Sequence, residues 1–96
     1  MSGTTAISSG LKAADTLIYT GRGTLNGVVV NTDGTNAATL TLYDNTSASG
    51  NVLAQMIVAG ADRTNALLFN LAVRCNNGIY ADVTGTGATY TVYYGA

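Results

Sequence analysis

Apolar and polar residues alternate with period two along most of this chain, and the alternation stops at clusters of Gly, Asn, Asp, Ser and Thr. That period places successive side chains on opposite faces of a strand. It predicts strands over Thr16–Thr20, Thr24–Asn31, Ala38–Tyr43, Val52–Val58, Ala66–Leu71, Ile79–Thr84 and Ala88–Tyr94, with a weaker one around Val73 and Cys75. In Ala38–Tyr43, Leu40 and Leu42 point one way while Thr39, Thr41 and Tyr43 point the other, so one face is core and the other polar or interfacial. Leu67, Phe69 and Leu71 form a second core-facing set, Ile79, Ala81 and Val83 a third. In the last strand Tyr90, Val92 and Tyr94 oppose Thr89, Thr91 and Tyr93. Between strands, Asp33-Gly34 suits a turn with positive φ, Asn76-Asn77-Gly78 a tight turn, and Gly85-Thr86-Gly87 the last one.

Helix propensity competes in two places, Val52–Ala61 and Asn65–Val73, which are rich in Ala, Leu and Met. Their short length and flanking turns favour strands. The expected fold is therefore all-β: a compact antiparallel β-sandwich, jelly-roll-like, of seven or eight short strands. Residues 1–14 are small and polar, with Ile7 and Leu11 as isolated apolar anchors. They read as an extended N-terminal arm to a single β-sandwich domain over residues 15–96.

Composition narrows the function. Charged residues are 9% of the chain, against about 25% in an ordinary domain, and Thr, Asn, Ser and Gly replace them. Such a surface carries little repulsion to keep copies apart. Proline is absent and Lys12 lies outside the strands, so the usual means of blunting sheet edges are missing and neighbours are expected to cover them. A net charge of −1 gives no attraction to nucleic acid or an anionic membrane. No basic stretch followed by an apolar run opens the chain, and no apolar segment nears the length of a span, so a product of the cytoplasm is expected.

Chemistry is scarce. Histidine and glutamate are absent, which removes the usual general base and the Ser-His-Asp and Cys-His arrangements; no enzyme is expected. Cys75 stands alone, so an internal disulfide and a zinc site are excluded, and no cofactor is implied. Arg74 beside it would favour a reactive thiolate, but a buried small hydrophobe is the better reading. Asp33, Asp44 and Asp62 fall in predicted turns, where aspartate bonds nearby backbone. Asp44, Asn45, Asp62 and Asp82 offer oxygens to calcium without the spacing of a calcium loop. The tyrosines stand out: Tyr90, Tyr93 and Tyr94 in the last strand, Tyr80 in the one before, and Tyr43 earlier. Cross-strand packing, a protein interface and stacking against sugar all remain open for them. With Ile7 and Leu11, these five tyrosines are the candidate interface residues.

Three stretches carry a resemblance. They are Leu25-Asn26-Gly27-Val28-Val29-Val30-Asn31, then Leu40-Thr41-Leu42-Tyr43-Asp44-Asn45-Thr46-Ser47-Ala48-Ser49-Gly50, and the ending from Asn77 to Tyr94, with Asn77-Gly78-Ile79-Tyr80-Ala81-Asp82-Val83-Thr84-Gly85-Thr86-Gly87 at its head. Together, over about residues 23–94, they resemble small β-sandwich proteins encoded among the virion genes of tailed bacteriophages. The resemblance implies a structural protein of the virion: a capsid decoration, or cement, protein. Such a protein binds the major capsid protein on the outer capsid surface, often as a homotrimer, and strengthens contacts between capsomers. The arm would then order against the capsid or a neighbouring subunit. Head-fibre, tail and receptor- or glycan-binding components are the alternative. No contact residue carries over, because the resemblance lies in the strands and turns.

Overall fold

The computed structural model describes residues 6–96, apart from the side chains at 68, 70 and 71. Of the expected arm, residues 1–5 lie outside the described residues, as does the inward-facing side chain expected at Leu71. The described residues form eight strands and one 3-10 turn: β1 (Ile7–Ser8), β2 (Thr16–Thr20), β3 (Gly23–Asn31), β4 (Ala38–Tyr43), β5 (Val52–Val58), the 3-10 turn Gly60–Asp62, β6 (Thr64–Cys75), β7 (Gly78–Thr84) and β8 (Thr89–Gly95). Of the two stretches with helical propensity, Asn65–Val73 is strand throughout and Val52–Ala61 is strand as far as Val58, before the 3-10 turn begins at Gly60. Their apolar residues gain more by joining a ladder beside β3 and β4 than a short isolated helix would supply.

All pairings are antiparallel, and they follow one rule: β1 pairs with β8, β2 with β7, β3 with β6 and β4 with β5. Each strand thus meets the one equally far from the other end of the chain. The further pairs β3–β8 and β4–β7 gather the strands into two four-stranded sheets, ordered β1-β8-β3-β6 and β2-β7-β4-β5. This is the jelly roll, a double Greek key in two packed sheets.

One expected boundary moved. The strand Ala66–Leu71 and the weaker strand at Val73 and Cys75 are a single β6. Between the Leu25–Val73 and Gly27–Leu68 pairs, β3 supplies Asn26 alone while β6 runs through residues 69–72. This wide bulge breaks the period-two pattern without ending the strand.

The core lies between the sheets. Leu25, Val28, Val30, Leu40, Leu42, Val58, Ile79, Tyr90 and Val92 are all buried there. Leu40 and Leu42 face inward as their alternation requires, as do Ile79 and Ala81. Leu67 pairs with Val28 on the inward side, but β6 is an edge strand and leaves it 38% exposed. Thr32 to Asn36 makes the expected turn, with Gly34 at φ 93°. Asp33 holds it: its carboxylate accepts the N–H groups of Asn36 at 2.7 Å and Thr35 at 2.8 Å, and these bonds hold its carboxyl below the ordinary carboxylate value.

Residues 7–15 connect the two sheets. β1 lies on the edge of β8, and Lys12 exchanges backbone hydrogen bonds with Tyr90, each at 2.8 Å. The chain then crosses to β2, and Thr16 opens that strand opposite Ala81 of β7. We call residues 7–15 the strap.

Candidate interaction face

The inward side of β2-β7-β4-β5 is fixed by Leu40, Leu42, Ile79 and Ala81, so alternation assigns the residues between them to the outer face. Register then orders these residues into rows across the sheet. Leu17 of β2 lies opposite Tyr80 of β7, Tyr80 opposite Tyr43 of β4, and Tyr43 opposite Val52 of β5. The row is apolar from edge to edge. Its two tyrosines are half-buried, while Leu17 is 44% and Val52 52% exposed. On the same face Ile57, opposite Thr39, is 70% exposed. A monomer gains little by placing aliphatic side chains in water along one sheet face, and a contiguous apolar row such as Leu17–Tyr80–Tyr43–Val52 marks a contact surface.

The next row is polar. Asp82 lies opposite Thr41, and Thr41 opposite Gln55, whose Nε2 donates to Thr41 Oγ1 at 3.0 Å. Continuing the β2–β7 register by one residue brings Asp15 opposite Asp82. Asp15 Oδ1 accepts the N–H of Val83 at 2.9 Å. Partial burial and then the neighbouring Asp15 carboxyl push Asp82 above the ordinary carboxylate value.

The seven candidate residues do not form one cluster. Tyr43 and Tyr80 meet on this face. Tyr90 does not belong with them. It is fully buried, because its strand turns Tyr90 and Val92 toward the core, and its hydroxyl donates to the Ala14 carbonyl at 2.7 Å. Tyr94 continues that inward side and packs against Tyr19 with ring centroids 5.7 Å apart. Tyr93 points to the outer side of the other sheet, opposite Ser8 and Gly27. Ile7 and Leu11 lie on the strap, 46% and 68% exposed. Leu17, Val52 and Ile57 were missed, because nothing local says which of the alternating residues in an edge strand face outward.

The remaining chemistry has structural employment. Cys75 is buried, its Sγ lies 3.6 Å from the Gly21 carbonyl, and burial pushes its thiol upward, toward the inert form. Among the described residues no three His, Cys, Asp or Glu side chains converge as a metal site, and no helix is long and apolar enough to cross a membrane. No family model matches the chain, and no curated protein or solved structure matches it.

Proposed function

We propose that this chain is a structural assembly protein that docks on other protein surfaces through the outer face of β2-β7-β4-β5. The observation that carries this reading is the row Leu17, Tyr80, Tyr43 and Val52, apolar across all four strands. Low charge supports it, since a surface with 9% charged residues does little to repel copies or partners. Tyrosine at the centre of an apolar patch is the usual anchor of a protein interface. Together with the resemblance to small virion proteins, this leads to a specific reading: a capsid decoration protein. It acts as a homo-oligomer, with a trimer favoured, on the major capsid protein at the outer capsid surface.

The test is sedimentation of the purified chain, alone and with capsids lacking decoration protein. The expected result is an oligomer that co-sediments with capsids in near-stoichiometric amounts. Leu17→Lys and Val52→Lys should each weaken that binding at least about tenfold, because a charge enters a desolvated patch. Both sites are exposed, so the fold should change by no more than about 0.5 kcal/mol. A monomer that ignores capsids, or Lys variants that bind as well as the parent, overturns the reading.

A second reading has its own observation. Tyr43 and Tyr80 are neighbours on a face that also carries Asp82, Thr41 and Gln55, and ring faces beside hydrogen-bonding groups suit sugar. A fibre or tail module that binds host glycan would then show glycan-array binding that is lost in Tyr43→Ala.

A further inference from the structure

The strap is held to the sandwich at three places. Along β8, Ser9 N–H donates to the Val92 carbonyl at 2.8 Å, Val92 N–H donates to Ser9 Oγ at 2.9 Å, and Lys12 pairs with Tyr90. At the crossing, the Tyr90 hydroxyl donates to the Ala14 carbonyl. On arrival at the second sheet, the Asp15 carboxylate accepts the Val83 N–H. Side-chain burial is partial, with Ile7 46% and Leu11 68% exposed. The strap therefore depends on a few polar bonds, and the last of them ends in a conflict.

That conflict is the opposition of Asp15 and Asp82. Like charges directly across an antiparallel ladder repel. A proton held on Asp82 removes one of the two charges and with it the repulsion. Few other groups bear on them. Thr41 faces Asp82 from β4, with Gln55 beyond it on β5, and neither is charged. From β8 and β7 the titratable neighbours are the hydroxyls of Tyr90 and Tyr80. Lys12 is the cationic residue of the strap, and it contributes its backbone to the ladder with Tyr90.

We propose that the opposition of Asp15 and Asp82 is a pH-sensitive clasp, closed while Asp82 holds its proton and loosened when that proton leaves, which sets how firmly the strap is held to the sandwich. The sign follows from the raised value of Asp82. The folded chain binds the proton more tightly than the unfolded chain, whose value is 3.8. The clasp is therefore at full strength below that value and weakens as pH rises through the folded value. Asp33 works in the opposite direction, being lowered, so its contribution is lost as pH falls. It lies in the β3–β4 turn, away from the strap, so a local measurement separates the two. A loosened strap bares the β8 edge, an unpaired row of N–H and C=O groups of the kind that recruits another chain.

The measurement is amide hydrogen exchange by NMR, corrected for intrinsic rates, at Ser9 and Lys12, with Leu40 in the core as reference. From about pH 4 to about pH 7, protection at Ser9 and Lys12 should fall several-fold, while Leu40 holds. In Asp82→Asn, which keeps the shape and removes the titrating carboxyl, protection should not change with pH. Asp15→Asn should flatten it in the same way and decides the matter should the first variant fold poorly. Strap protection independent of pH in the parent chain overturns the proposal. So does an unchanged pH slope in both Asn variants.

Discussion

Tyr90→Ala is expected to destabilise the fold by about 3–5 kcal/mol, the range for emptying a large aromatic side chain from a core. The parent stability of a domain this size is about 5–15 kcal/mol, so the variant stands near the limit of folding. Tyr90 is the largest of the fully buried side chains, on a strand paired with β3 on one side and with the strap on the other. Its ring fills the space between the sheets, and its hydroxyl reaches the Ala14 carbonyl at the crossing. Truncation opens a cavity and leaves that carbonyl without its donor. Tyr90→Phe separates the two effects. It keeps the ring and loses only the hydrogen bond, at about 1 kcal/mol. Urea titration of the three proteins checks this, with a midpoint that falls in the order parent, Phe, Ala at constant slope. Equal midpoints for Phe and Ala would mean that the hydroxyl, not the ring, is what the core needs.

The same residue shows where sequence reading stops. Alternation correctly separated Tyr90, Val92 and Tyr94 from Thr89, Thr91 and Tyr93, because β8 is a regular strand. It could not say that the first set faces inward, since both sets carry tyrosine. The phase was legible in β4 and β7, where leucine, isoleucine and alanine oppose threonine, aspartate and tyrosine. Edge strands were harder. In β2, Leu17 and Ile18 are chemically alike, yet Leu17 lies outside and Ile18 inside, and a bulge between Leu17 and Tyr19 turns Tyr19 inward as well, breaking the alternation. β1 has only two residues and no pattern to read. Most of the candidate face is a product of register. Tyr43 meets Tyr80, and Asp15 faces Asp82, only because β7 lies between β2 and β4 in the roll. No local feature of either strand encodes that neighbour. The turns were legible because their chemistry is local, as the bonds from Asp33 to its own loop illustrate.

Asp44 was read as the same kind of turn residue, but its bonds are not local, and a second large effect is expected from it. Its Oδ1 accepts the N–H of Asn76 at 2.9 Å and of Asn77 at 2.8 Å, far along the chain in the β6–β7 turn. Its own N–H donates to the Asn51 carbonyl at 2.8 Å and closes the β4–β5 loop. The Asn77 carbonyl in turn accepts the Gly21 N–H at 2.9 Å, so the β2–β3 turn joins the same network. The buried carboxylate thus ties the β4–β5 loop to the β6–β7 turn, and a backbone bond carries the link on to the β2–β3 turn. Asp44→Ala removes two charge-assisted bonds and leaves two backbone donors without a partner, a loss of about 2–4 kcal/mol. Asp44→Asn keeps an acceptor in place without the charge and should fall between Ala and the parent. Asp33→Ala is the control. That carboxylate is exposed and serves its own loop alone, so its loss should cost clearly less than that of Asp44. Denaturant midpoints give the totals, and hydrogen exchange at Asn76 and Asn77 locates the damage. If the two Ala variants fall equally, Asp44 acts as a local turn residue after all, and the end of the sandwich is held by its backbone ladders. If Asp44→Ala falls further and exposes the amides of Asn76 and Asn77, the Asp44 side chain is what couples the β4–β5 loop to the β6–β7 turn.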